Sequence, residues 1–323
     1  MSDQESSDDR QLDKFADWDI FVPLIADDAD QAGFRIKNED GESHRVYLTG
    51  YDRRPDVTAV RGRLFHVVHG VVGSGSTRPA TLIVFEWLLV PGSRGHRFRE
   101  VKLDVTFTAR GSRPGILPGA DLSGFTPQVE AVAPSLPMKS FVTSRDVTKE
   151  TEKKAALNLG YAPYASATPE VSNKSTETTT RTDYRFVAGY PAFVKKSYGK
   201  PNSVHWTLQE NAPQQSGTPY RVRTAVLLQR RAGDYGTFSA AISTSANVSI
   251  IADAAEALRA AVGLVPVDDP VLFDPKPVKG IDHGAAVLYG SKDITNTQEC
   301  PCDKNNLGAE DLAKFVIGDD DPN

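Results

Sequence analysis

The chain has few of the residues that mark a disulfide scaffold, a membrane protein or an exported protein. Its 323 residues include only two cysteines, Cys300 and Cys302, a scarcity typical of reducing compartments. No stretch approaches the ~18 consecutive apolar residues of a membrane span. The first 20 residues are acidic and polar, unlike a secretory signal. We therefore expect a cytoplasmic protein without a signal peptide or transmembrane segment, with the nucleus as an alternative compartment.

Motifs of the common catalytic classes are also missing. The sequence contains no G-x-S-x-G elbow, no P-loop, no G-x-G-x-x-G fingerprint and no H-E-x-x-H metal motif. His66 and His69 are three residues apart, so on a strand they face opposite sides and cannot share one metal ion. The two cysteines supply only half of the four ligands that zinc prefers. The sequence therefore identifies no catalytic residue, leaves open whether the protein is an enzyme, and predicts no metal site and no cofactor.

Charge is distributed unevenly along the chain. Residues 1–30 carry ten acidic and two basic side chains, and residues 301–323 carry six acidic and two basic ones. The remaining 31–300 then hold 26 acidic and 33 basic residues of the totals of 42 and 37, a net charge of +7. The simpler interpretation is that acidic ends aid solubility. The alternative is that an acidic end covers a basic surface and regulates access of an anionic partner.

Alternation of apolar and polar residues predicts a mainly antiparallel β protein. Between residues 98 and 109, Val101, Leu103, Val105 and Phe107 alternate with polar residues, which is typical of a half-buried strand. Similar patterns predict strands at 33–37, 44–48, 57–69, 82–90, 182–188, 203–210, 220–231 and 235–248. We predict an acidic disordered N-terminus (1–14), a first β-sandwich-like half (15–140) and a linker with a possible helix (141–180). A second half (181–275) follows, with one short amphipathic helix at 251–264, and then an irregular acidic C-terminal segment (276–323).

Two segments resemble each other and suggest an internal duplication. Glu86-Trp87 is followed by a loop and a strand that begins at Phe98-Arg99, and His205-Trp206 is followed by a loop and a strand that begins near Tyr220-Arg221. Two similar β-halves would produce this arrangement. Any antiparallel hairpin with one tryptophan would look the same.

Arginines at alternate positions of predicted strands are the strongest candidate binding feature. Arg97 and Arg99 form one such pair, Arg221 and Arg223 a second, and Arg61 and Arg63 a third. Alternate positions place both guanidinium groups on one face, where they can hold phosphate or carboxylate or stack on bases. The simpler interpretation is a solvated face with cross-strand pairs to Glu and Asp. The candidate ligand-binding residues are Trp87, Arg97, Arg99, Trp206, Arg221 and Arg223. The simpler interpretation is that their importance is structural, with both tryptophans in the core.

Three short motifs carry a resemblance to a family. They are W-x-L-x-E-N at 206–211, A-V-L-L at 225–228 and D-P-V-L-F-D-P at 269–275. Across residues 200–275 the chain resembles a group of uncharacterised, β-rich intracellular proteins of filamentous fungi. The resemblance implies no particular activity.

Three hypotheses about function follow. The first is a non-catalytic binding or interaction module with a protein or small-molecule partner and no membrane. The second is an enzyme of the isomerase or cyclase type that needs no cofactor and has a pocket between the two halves. The third is binding of an anionic ligand or nucleic acid on the arginine-rich strands.

Overall fold

Two antiparallel β-sheets make up the protein in the computed structural model. The structure describes residues 18–23, 36–50, 58–92, 96–155, 171–196, 198–250, 268–275, 287–288 and 302–318. Their thirteen strands are β1 (Trp18–Pro23), β2 (Tyr47–Thr49), β3 (Ala59–Val71), β4 (Pro79–Val90), β5 (Arg97–Ala109), β6 (Gln128–Ala133), β7 (Met138–Ala155), β8 (Val171–Ala192), β9 (Ser203–Gln209), β10 (Arg221–Gln229), β11 (Phe238–Ile250), β12 (Val271–Phe273) and β13 (Val287–Leu288). Sheet A has the order β1-β11-β5-β9-β8-β7, with β12 also on β11. Sheet B has the order β13-β3-β4-β10-β6, with β2 also on β3. The mainly antiparallel β prediction is confirmed.

One apolar core joins strands from both predicted halves. Alternate residues of β4 and β5, among them Phe85, Trp87 and Phe107, are fully buried and belong to a single cluster with residues of β9, β10 and β11. The pattern of β5 follows the predicted period of two, with Val101, Leu103, Val105 and Phe107 buried. Each sheet contains strands from 15–140 and from 181–275, so the two predicted halves are interleaved in one core.

The strand order of one sheet repeats in the other. Sheet B contains the run β3-β4-β10-β6, and sheet A contains the run β8-β9-β5-β11. We match β3 with β8, β4 with β9, β5 with β10 and β6 with β11. With this matching, the run in sheet B has the same strand order as the run in sheet A. In the first set of four strands β5 lies in sheet A, apart from the other three, and in the second set β10 lies in sheet B. This repeated order agrees with the similarity between the two tryptophan-containing segments.

Both tryptophans lie against a glycine on the neighbouring strand. In the strand register Trp87 is opposite Gly62 of β3, and Trp206 is opposite Gly189 of β8. A Cβ atom at Gly62 would lie 2.6 Å from Cζ3 of Trp87, and one at Gly189 would also collide with the ring of Trp206. The matched strands therefore share this local packing, because each indole ring occupies the space that a side chain would need.

Several local predictions need correction. The described residues of the predicted linker with a possible helix (141–180) are strand: residues 141–155 belong to β7 and 171–180 belong to β8, and the two strands pair with each other. From residue 143 onward this stretch is mostly Thr and charged residues on both faces, so no apolar period of two is visible in the sequence. Strands β6 and β12 are missing from the predicted strands; β6 follows a Pro- and Gly-rich stretch, and β12 lies between prolines. The predicted helix at 251–264 and the N-terminal residues 1–14 lie outside the described residues.

The C-terminal segment, residues 302–318, packs on the outer face of sheet B. Leu307, Leu312 and Phe315 of its two short 3-10 turns are buried. They form a second apolar cluster with residues of β3, β4, β6 and β10, whose buried members are Val68, Ala80, Leu82, Val84, Ala133, Ala225 and Leu227. Sheet B is therefore apolar on both faces, which explains why β4 is buried at nearly every position. The segment predicted to be irregular has a definite packing role over these residues.

Candidate functional site

The structure separates the six predicted site residues into core and surface. Trp87 and Trp206 are fully buried. The indole N–H of Trp87 donates to Thr224 Oγ1 at 2.9 Å, and that of Trp206 donates to the carbonyl of Ala133 at 3.2 Å. The tryptophans therefore have the core role that was the alternative interpretation. The two arginine pairs lie in different sheets and do not meet.

Glu86 is the centre of a charged cluster on the outer face of sheet B. Its side chain is 0% exposed. Arg221 donates to Oε1 through Nε at 2.8 Å, Arg223 donates to the same oxygen through Nε at 2.9 Å, and Arg63 binds Oε2. Glu86 is directly opposite Arg63 of β3 and Arg223 of β10 in the strand register. One buried carboxylate thus holds three guanidinium groups from three neighbouring strands.

A fourth arginine completes the arrangement. Arg61 is two residues from Arg63 on β3, and both Arg61 and Arg221 are opposite Leu88 of β4. Alternation along the strands places Arg61 on the same outer face. We call Arg61, Arg63, Arg221 and Arg223 with Glu86 the arginine face. Its five ionised side chains carry a net charge of +3.

An aromatic ring supports the arginine face. The register of β3 shifts between Leu64 and His66, and the extra residue, Phe65, packs with the outer apolar cluster. The Arg223 guanidinium lies 3.5 Å from the centre of the Phe65 ring. A β-bulge changes the direction of side chains in this way.

Burial lowers the pKa of Arg223, and the positive charges of Arg221 and Arg63 lower it further, against the opposing effect of Glu86. Additional negative charge at this face would therefore be favourable.

A second glutamate cluster lies in sheet A. Arg97 and Arg99 of β5 each place Nε 3.2 Å from a carboxylate oxygen of Glu210, which follows β9. The backbone N–H of Gly217 also donates to Glu210 at 3.1 Å. Arg97 is 12% exposed and Arg99 is 29% exposed. These three side chains carry a net charge of only +1, so this cluster is closer to charge balance than the arginine face.

Each charged cluster joins one tryptophan-containing segment to the other. Glu86 on β4 binds arginines of β10, and Glu210 at the end of β9 binds arginines of β5. In each case the pair of arginines follows one tryptophan in sequence and binds a glutamate that is near the other tryptophan in sequence. The predicted cross-strand pairing to glutamate is therefore observed at both pairs. Sequence reasoning missed the two glutamates as partners because more than 100 residues separate Glu86 from Arg221 and Arg223, and Glu210 from Arg97 and Arg99.

Protonation of His66, beside the arginine face, is expected to destabilise the protein in mild acid. Burial, and then the charge of Arg223, lower the pKa of His66 from 6.5 to about 4. The unfolded chain therefore binds a proton at higher pH than the folded chain, so stability is lost as the pH falls from 6.5 towards 4. We expect the titration of His66 alone to lower the free energy of unfolding by about 2 kcal/mol between pH 7.5 and pH 5.

Urea unfolding of the wild type and of His66→Phe at both pH values measures this loss. The phenylalanine variant should lose about 2 kcal/mol less than the wild type over this interval. His44 and His69 remain in both proteins and provide the same background. An equal loss in the two proteins would contradict the assignment to His66.

A third polar arrangement lies on the outer face of sheet A. His205 Nδ1 is 2.5 Å from Asp104 Oδ1, and His205 Nε2 is 3.1 Å from Thr207 Oγ1. The ring of Tyr190 packs against His205 at 4.9 Å between centroids. This order of carboxylate, imidazole and hydroxyl resembles an activated nucleophile. However, β9 is paired with β5 and β8 on its two sides, so its own N–H groups are engaged in the sheet and offer no oxyanion hole.

Two other kinds of feature are absent from the described residues. Over the parts of the chain that the structure describes, no group of three or more His, Cys, Asp or Glu side chains is arranged to hold a metal ion. No helix in the same residues is long and apolar enough to cross a membrane. Cys302 is partly buried beside the outer apolar cluster, and Cys300 lies outside the described residues.

No protein-family model matches the chain, and no curated protein matches it. The resemblance to fungal proteins stays a prediction.

Proposed function

We propose that the protein is a non-catalytic binding module that uses the arginine face to bind an acidic segment of a partner protein. The observation that carries the proposal is the net charge of +3 on the five side chains of the arginine face, in which one buried glutamate holds three of the four guanidinium groups. Because Glu86 fixes these three groups before a partner arrives, they lose little side-chain entropy on binding. A cytoplasmic or nuclear location is part of this proposal.

The chemistry of the face favours carboxylates over nucleic acid. Planar guanidinium groups bind carboxylate oxygens in a bidentate manner. Binding of single-stranded nucleic acid usually adds exposed aromatic rings on which bases stack. Arg223 covers Phe65 at this face, which leaves Tyr47, opposite Arg63 and 52% exposed, as the described ring on which a base could stack. The enzyme hypothesis has less support, because the space between the sheets holds the side chains of the apolar core.

A double substitution that leaves Glu86 paired with two arginines tests the proposal. In R61Q/R221Q, Arg63 and Arg223 still bind Glu86. We expect the affinity of the full chain for a fluorescent oligoglutamate peptide to fall at least tenfold at low salt. The binding of the wild type should weaken steeply as salt is added, since exposed charges are screened. Fluorescence anisotropy measures both effects.

A matched control removes two arginines elsewhere. Arg145 and Arg181 are 49% and 66% exposed and pair with Asp183 on the β7–β8 hairpin. The variant R145Q/R181Q has the same total charge as R61Q/R221Q and should bind the peptide within about twofold of the wild type. Equal losses in the two variants would refute a specific arginine face. If a single-stranded oligonucleotide binds tenfold more tightly than the peptide and R61Q/R221Q removes that binding, the acidic-protein partner is wrong.

A further inference from the structure

A buried ion cluster near the start of β11 has more positive than negative charge. Arg113, Arg230 and Asp234 are 5%, 3% and 4% exposed. Arg113 Nε lies 2.6 Å from Asp234 Oδ1, and Arg230 Nη1 donates to the Asp234 carbonyl at 3.1 Å. Two guanidinium groups and one carboxylate leave an excess of one positive charge. A buried excess charge is costly unless an opposite charge accompanies it.

A cavity of about 220 Å³ adjoins the buried Arg230. Its walls include His69 of β3, Arg230, Tyr235, and Lys304 of the C-terminal segment. A water molecule occupies roughly 30 Å³ in the liquid, so the cavity has room for a phosphate group with a small substituent. The backbone N–H of Val71 donates to the carbonyl of Lys304 at 2.9 Å, which fixes the C-terminal segment against β3 beside the cavity.

The polar groups around the cavity favour an anion. The side-chain Nε of Arg230 is buried and has no hydrogen-bond partner among the described residues. Burial lowers the pKa of Arg230 to about 10, with Asp234 and Tyr235 raising it and Arg113 lowering it. His69 is engaged by His44 Nε2 and Thr81 Oγ1, both at 2.9 Å. Burial lowers its pKa, and the charges of His44 and Arg230 lower it further.

We propose that this cavity binds a single phosphate group, either free or in a small monoester, with Arg230 as its main ligand. The phosphate would supply the negative charge that the Arg113–Asp234–Arg230 cluster lacks. It would also contact both β3 and the C-terminal segment, and so strengthen the attachment of that segment. This site lies apart from the arginine face and does not depend on the function proposed for it.

Calorimetric titration of the full chain with inorganic phosphate, at ionic strength held constant with chloride, tests the proposal. We expect saturable binding of one phosphate per chain and a saturable shift of the His69 imidazole resonances in NMR spectra. Arg230→Gln should weaken binding at least tenfold, whereas R61Q/R221Q should change it less than twofold. Methyl phosphate is the second ligand to be titrated. If methyl phosphate binds at least as tightly as phosphate, the ligand is a monoester. If methyl phosphate does not bind, the ligand is free phosphate.

Two further results would overturn the proposal. One is the absence of saturable phosphate binding to the wild type, and the other is unchanged binding in a folded Arg230→Gln protein. If Arg230→Gln does not fold, Tyr235→Phe keeps the buried arginine and removes only a hydroxyl at the cavity wall. It should weaken phosphate binding at least threefold, and an unchanged affinity would count against the site.

Discussion

Replacing Glu86 by glutamine is expected to lower the free energy of unfolding by about 3–5 kcal/mol at pH 7. The substitution keeps the size of the side chain but removes the one negative charge between Arg63, Arg221 and Arg223. The three guanidinium groups would then repel one another across a buried amide. Urea denaturation with circular dichroism measures the loss.

Glu130→Gln is the matched control for this substitution. Glu130 forms an ion pair with Lys200 in which both side chains are at least one-third exposed, so its loss should cost under about 1 kcal/mol. Equal losses for the two variants would show that burial of Glu86 has no special role.

The cost of E86Q should also depend on pH. Burial raises the pKa of Glu86, but hydrogen bonds from Arg221 and Arg223 and the charge of Arg63 outweigh this effect and lower the pKa below 4.5. Its stabilising contribution is therefore present above pH 4.5 and is lost as the pH falls through the folded-state pKa. We expect the difference between wild type and E86Q to shrink below that pH.

Deleting residues 302–323 is expected to cost more than 5 kcal/mol of stability and to cause self-association. The deletion removes Leu307, Leu312 and Phe315 from the outer apolar face of sheet B, and each buried side chain of this size contributes roughly 2–5 kcal/mol. It also exposes an apolar sheet face, which favours association between copies. Light scattering coupled to size exclusion and thermal unfolding measure the two effects.

A point substitution tests the packing of the C-terminal segment without shortening the chain. Leu312→Ala should lower the free energy of unfolding by about 2–5 kcal/mol. Leu117→Ala, at a side chain that is 80% exposed, should change it by no more than about 0.5 kcal/mol. A truncated protein that stays monomeric with unchanged thermal stability would disprove the packing role of the C-terminal segment.

The fold class was predictable because most core strands alternate apolar and polar residues. β5 shows this most clearly, since its apolar side chains face the space between the sheets and its polar ones face outward. The placement of Arg221 and Arg223 on one face was predictable for the same reason. Strand β7 was not predictable from this signal, because Thr, Lys and Glu residues form a sheet edge without a hydrophobic period.

Residue alternation determines which side chains of a strand share a face, and this rule needs only the local sequence. It therefore gave the antiparallel β class and the arginine pairs. The tertiary structure decided which strands are neighbours, because strand pairing joins residues more than 100 positions apart. Only that pairing brings Glu86 to Arg221 and Arg223, places β5 and β10 in opposite sheets, and lays the C-terminal segment over sheet B.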